Sequence, residues 1–135
     1  MNLAITGMGA VSPIGVTAEE FRRNLLAGVI GIRPAPWTNS DQPDGGLYGA
    51  VDDRFDPAQW MDERIIAGTD GFARFALAAC GQAVIDAGLD PTALDPHRTG
   101  VVHGTSMGGL FSASRAQWEY DRSGPDAVDP KTQIK

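Results

Sequence analysis

Ser106 stands in Gly104-Thr105-Ser106-Met107-Gly108. That is the G-x-S-x-G spacing in which a serine on a tight strand-to-helix turn attacks an acyl carbonyl. Such chemistry needs a histidine to take the hydroxyl proton and a carboxylate to orient it, in the chain order Ser, acid, His. Glu119, Asp121, Asp126 and Asp129 lie downstream, but His97 and His103, the two histidines, both lie upstream. His103 ends the strand that leads into the turn and is too near in sequence to fold back onto Ser106 Oγ. A working Ser106 therefore requires a base donated by another chain, and serine hydrolysis stands only as a remote alternative.

Three other features could carry chemistry. Gly7-Met8-Gly9 follows an apolar strand, as a dinucleotide fingerprint does, but the third glycine of G-x-G-x-x-G would fall at Ser12, with Pro13 next. The helix begins near Thr17, away from any pyrophosphate position, and no acid ends a strand where Val29 and Arg33 stand. No cofactor is expected. Cys80 sits mid-helix in an apolar stripe, which predicts a buried small hydrophobe rather than a reactive thiol. His97, between Pro96 and Arg98, reads as a solvated loop residue, whereas His103 at a strand C-terminus is placed to line a pocket.

The chain has 135 residues, 42% of them apolar and 21% charged, which fits one globular domain or a piece of one. A net charge of −6 with no basic stripe excludes nucleic acid as a partner. The single cysteine excludes an internal disulfide and a cysteine-rich metal site, and no metal is expected. No run of apolar residues is long enough for a membrane span, and Met1-Asn2 leads into a strand rather than a signal peptide, so no membrane is expected and the cytoplasm is.

Alternating strand and helix patterns position these residues and predict an α/β fold. Leu3-Ala4-Ile5 reads as a strand ending in the turn TGMGAVSPIG. Thr17-Ala18-Glu19-Glu20 is a capping box opening a helix through Phe21, Leu25 and Leu26, with Gly28 as its stop. Residues 33 to 50 read as a loop or loose hairpin, 48–51 as a strand and 59–66 as a short helix. Phe72, Phe75, Ala76, Ala79, Cys80, Ala83, Val84 and Ala87 follow helical spacing, with Asp70 as N-cap and Gly88 as stop. The alanines let this helix approach a neighbour closely. Residues 99–103 read as a strand, and a further helix runs through Leu110, Ala113 and Trp118.

Four stretches together resemble the N-terminal part of a β-ketoacyl-acyl carrier protein synthase, an elongating condensing enzyme of the thiolase-like family. They are ITGMGAVSPIG with TAEEFRRNLLAGVIGIRP, then GAVDDRFDPAQWMD, then DGFARFALAACGQAVIDAGLD, then RTGVVHGTSMGGL. The resemblance implies a thiolase-like α/β fold, a mixed sheet with packed helices, of which residues 1–135 form the N-terminal portion, ending before the catalytic cysteine. It implies an acyltransferase of fatty-acid or polyketide biosynthesis: a malonyl thioester is decarboxylated and joined to an acyl group held on a cysteine, with two histidines assisting. None of that catalytic set matches a residue here, Cys80 included. Met107 matches the residue that gates the acyl pocket, with Gly108 beside it on the same turn; methionine suits the role, being flexible and polarisable. The implied partners are an acyl carrier protein and a second synthase chain, identical or related, in a dimer. Where relatives carry Lys and Arg before Asp70, this chain has Ala67-Gly68-Thr69; after Gly124-Pro125 it has Asp126-Ala127, and Lys131-Thr132 replace an aromatic pair. Carrier proteins are acidic, so these changes weaken docking. They make a non-catalytic subunit like a chain-length factor, supporting dimerisation and pocket shape, the alternative.

Overall fold

The computed structural model describes residues 2–35, 46–51 and 53–131. These form helices α1 (Ala18–Leu26), α2 (Glu63–Gly68), α3 (Gly71–Asp86) and α4 (Leu110–Ser123), with short 3-10 turns between them. Strands β1 (Arg33–Pro34) and β2 (Leu47–Tyr48) pair antiparallel, Arg33 opposite Tyr48 and Pro34 opposite Leu47. The chain divides into two units, Met1–Asp56 with Ala78–Leu89, and Pro57–Leu77 with Asp90–Lys135.

In the first unit, the capping box at α1 forms with one change of partner. Thr17 Oγ1 accepts the Glu20 amide at 3.1 Å, and Glu20 Oε2 accepts the amide of Val16 at 3.1 Å rather than that of Thr17. Thr17→Ala is expected to cost about 1 kcal/mol, read as a lower urea midpoint at unchanged slope. Gly28 and Gly88 end α1 and α3 at φ +71° and +62°, as the sequence predicts. Residues 7–10 lie against the C-terminal half of α3 at close range: Gly7 faces Ala83 and Ala87, and Gly9 faces Ala79 and Gln82. The turn then closes through Ser12 and Gly15, whose backbones exchange hydrogen bonds of 2.9 and 3.2 Å.

Gln82 is the buried polar residue of this unit. Its Oε1 accepts the amides of Ala10 at 3.2 Å and Ala18 at 3.1 Å, and its Nε2 donates to the Val16 carbonyl at 2.8 Å. One side chain thus fastens the glycine turn and the first residue of α1 to α3. The expectation that Cys80 is buried is incorrect: it is exposed. Ala78 and Gln82, one turn apart, define the buried line of the helix, and Cys80 lies between them in sequence, about 200° around the axis from Ala78.

In the second unit, Asp62 caps α2, its Oδ1 accepting the Ile65 amide at 2.8 Å. The helix expected at 59–66 is instead a 3-10 turn at Pro57–Gln59 followed by α2. Asp90 caps a second 3-10 turn, and the Thr92 hydroxyl and then the Thr92 amide hold its carboxyl below the ordinary value of 3.8. Asp70 stands at the N-cap position of α3, as expected, and its carboxylate also reaches another helix. Its carbonyl accepts the Ala73 and Arg74 amides, while its carboxylate accepts the Ser112 amide at 3.4 Å, in the first turn of α4. A carboxylate is favoured at either helix N-terminus, and here it faces the second.

The expected strands need correction. Leu3-Ala4-Ile5 and residues 99–103 make no ladder among the described residues, and of 48–51 only Tyr48 lies in a strand. Strands are completed by partners, and these segments find none among the described residues; Leu3, Ile5 and Val101 are 88%, 86% and 83% exposed. The irregular stretch 33–50 is a hairpin at its ends, β1 with β2; its residues 36–45 lie outside the described residues, as does Thr132.

Candidate functional site

The glycine-rich turn, residues 104–109, leads into α4. Gly109 is the N-cap of that helix at φ +79°, a conformation that side chains with a Cβ rarely adopt. Gly108 lies on the ring of Phe72, which stands in the first turn of α3. Ser106 is exposed, and Met107 is 65% exposed. The turn therefore offers side chains to its surroundings rather than to its own core.

No base serves Ser106 among the described residues. The His103 ring is stacked against Phe72, with centroids 6.2 Å apart. His97 is exposed, its amide donating to Asp95 Oδ1 at 2.9 Å, in the loop role expected of it. His103, expected to line a pocket, is exposed and lies against Phe72. The glycines at 7 and 9 hold no phosphate cradle either. The Met8 amide donates to Asp86 Oδ2 at 2.8 Å and the Ala10 amide to Gln82, so the groups a pyrophosphate would need are already bonded.

A separate cleft of about 330 Å³ lies in the second unit. Ala67 and Thr69 line it, two of the positions where the resemblance expects basic residues. The cations present are Arg74 and Arg115, in the company of Asp70, Glu119 and Asp129. Arg115 Nε donates to Glu119 at 2.9 Å, and Arg74 Nη2 donates to the Thr69 carbonyl. The lining thus carries both signs of charge, with an ion pair, Arg115 with Glu119, within it. No helix among the described residues is long and apolar enough to cross a membrane.

Two residues of importance carry no motif signal, Gln82 and Phe72. For Gln82 a clue exists: it is the one polar residue at helical spacing from Ala78 and Ala79 on an alanine-rich face. Phe72 reads simply as part of an apolar stripe.

Residues 2–133 match the family described as beta-ketoacyl synthase, N-terminal domain. The chain is 33% identical over 128 residues to 3-oxoacyl-(acyl-carrier-protein) synthase 2 of Coxiella burnetii, covering 95% of this chain and 31% of that protein. It resembles the solved ishigamide ketosynthase/chain length factor with a TM-score of 0.82 at 28% identity, covering 97% of this chain and 32% of the other. A type II polyketide synthase acyl-carrier protein in complex with its ketosynthase bound to the hexaketide matches in fold, with a TM-score of 0.76 at 21% identity over 96% of this chain and 33% of that one. The chain thus spans about a third of the length of the relatives it matches.

Proposed function

The chain belongs to the beta-ketoacyl synthase family, matching its N-terminal domain, and on that premise we propose that it forms the acyl-pocket portion of a longer condensing enzyme of fatty-acid or polyketide assembly. Its α/β fold is the thiolase-like one of the ketosynthase/chain length factor it resembles at a TM-score of 0.82. In the reaction, a cysteine outside residues 1–135 takes an acyl group from a carrier thioester and releases the carrier thiol. A malonyl thioester then loses carbon dioxide, and the electron pair left on its α carbon forms the new C–C bond to the acyl carbonyl. The cysteine thiolate leaves, and the product is a β-ketoacyl thioester. The protein works in the cytoplasm with an acyl carrier protein, paired with an identical or related synthase chain.

The contribution of residues 1–135 is to hold and measure the acyl chain. One observation carries this reading: Met107 projects from a glycine-rich turn and stays 65% exposed, without cover from the residues around it. An apolar, flexible side chain so presented is suited to meeting an alkyl chain and yielding to it. Met107→Phe in the complete protein puts a larger, stiffer group at the same point. Its kcat/KM ratio for palmitoyl over octanoyl thioester is expected to fall about tenfold, the contribution of a misplaced methylene in an apolar pocket. An unchanged ratio would overturn the assignment of Met107 and Gly108 as the gate turn.

A second reading is a non-catalytic partner that shapes the pocket of a related synthase. The resemblance to a ketosynthase/chain length factor and the uncharged Ala67 and Thr69 favour it. Under it, the complete protein forms no product alone and sets product length once paired with an active synthase chain.

A further inference from the structure

The ring of Phe72 meets both ends of the segment HGTSMGGL. At one end the His103 imidazole lies nearly parallel to it, the planes 8° apart and the centroids 6.2 Å apart. At the other, a Cβ on Gly108 would stand 2.7 Å from Phe72 Cε2 and 2.9 Å from Cζ, and one on Gly109 would stand 3.9 Å from Cε1. All of these residues belong to the second unit. Between the two contacts the backbone carries Thr105, Ser106 and Met107, each exposed. Within the turn, Thr105 Cγ2 stands 2.9 Å from the position of a Gly108 Cβ, and the Met107 carbonyl accepts the Leu110 amide at 3.3 Å. A short exposed turn of this kind is located by its ends, and both ends rest on one aromatic ring.

We infer that Phe72 is a positioning residue for Met107: by seating both ends of the turn it fixes where the methionine stands, and through it the acyl length the pocket accepts. The second half of this inference rests on the reading of Met107 as the gate. Flatness matters more than apolar bulk. The gap beside Gly108 exists because that residue has no side chain, and a planar ring can enter it while lying nearly parallel to an imidazole. Leucine at 72 keeps the apolar character and loses both fits. Tyrosine keeps the ring.

The test uses the complete protein with ¹³C-methyl methionine and two acyl thioesters, octanoyl and palmitoyl. Phe72→Leu is expected to move or broaden the Met107 methyl resonance, identified by its loss in Met107→Leu, and to change the palmitoyl-to-octanoyl kcat/KM ratio about tenfold. Phe72→Tyr restores both. Gly108→Ala, whose methyl would strike the ring, perturbs the same resonance, and the double variant with Phe72→Leu is less perturbed than the two single changes combined. A Met107 resonance unchanged in Phe72→Leu would overturn the inference, as would equal losses for both substrates at an unchanged ratio in an enzyme whose Met107→Phe variant does alter it. If Met107→Phe leaves the ratio alone, the gate reading fails, and the resonance alone decides for or against Phe72.

Discussion

Gly9→Ala is expected to destabilise the protein by about 3 kcal/mol or more, at or above the top of the usual range for an added methyl in a packed site. A Cβ at this position would stand 1.9 Å from the Ala79 carbonyl oxygen, 2.8 Å from the Ala79 carbonyl carbon and 2.8 Å from Gln82 Cβ. The first two are backbone atoms of α3, which cannot rotate aside as the end of a flexible side chain can. Either residues 7–10 lift away from the helix, or the helix turn at Ala79 distorts. Lifting the segment also strains the bond from the Ala10 amide to Gln82, so the steric and polar costs act together. Urea unfolding measures the effect; Gly28→Ala serves as a contrast, since no atom lies within 4 Å of its Cβ position and its cost arises from φ +71° alone. A loss below about 1 kcal/mol in Gly9→Ala would mean that the close approach to α3 is absent in solution.

Gln82→Leu is expected to cost about 3 kcal/mol, although the two side chains are similar in size and leucine is the better apolar residue. The substitution removes two acceptor contacts and one donor at once, leaving the Ala10 and Ala18 amides and the Val16 carbonyl without their partner. Each buried group left unpaired costs about 1–3 kcal/mol, and these three are only half-buried, so the low end of that range applies to each. Hydrogen exchange gives the sharper readout. The amides of Ala10 and Ala18 should lose protection in the variant, while amides in the second unit, such as Ile65 bonded to Asp62, should not. Retained protection at both alanines would contradict the fastening role.

What could be read from the sequence was what short stretches decide for themselves. Thr17, Glu20 and Gly28 mark α1 because caps and stops act within a few residues, and Gly88 marks the end of α3 for the same reason. Segments 3–5 and 99–103 differ from their strand pattern because apolar runs record a need for a partner without saying whether one is present. Asp70 illustrates a subtler limit. An aspartate before a helix is a cap by local rules, yet its carboxylate serves α4, which the chain reaches only much later. Cys80 differs from its expected burial because alanines cover several sides of α3, so its stripe does not fix a direction; the single glutamine at 82 does. At the site, the glycine turn was legible from G-x-S-x-G spacing, and the missing histidine was enough to set Ser106 aside. The contact of Phe72 with Gly108 joins residues far apart in sequence, and no local pattern announces it.

The most direct test is the product formed by the complete protein, paired with its synthase partner where it has one, from an acyl thioester and a malonyl thioester, read by mass spectrometry. The expected product is a β-ketoacyl thioester two carbons longer than the acyl donor, with one carbon dioxide released per bond formed. Free carboxylic acid without any lengthened product, abolished by Ser106→Ala, would contradict it and return the turn at Gly104-Thr105-Ser106-Met107-Gly108 to hydrolysis.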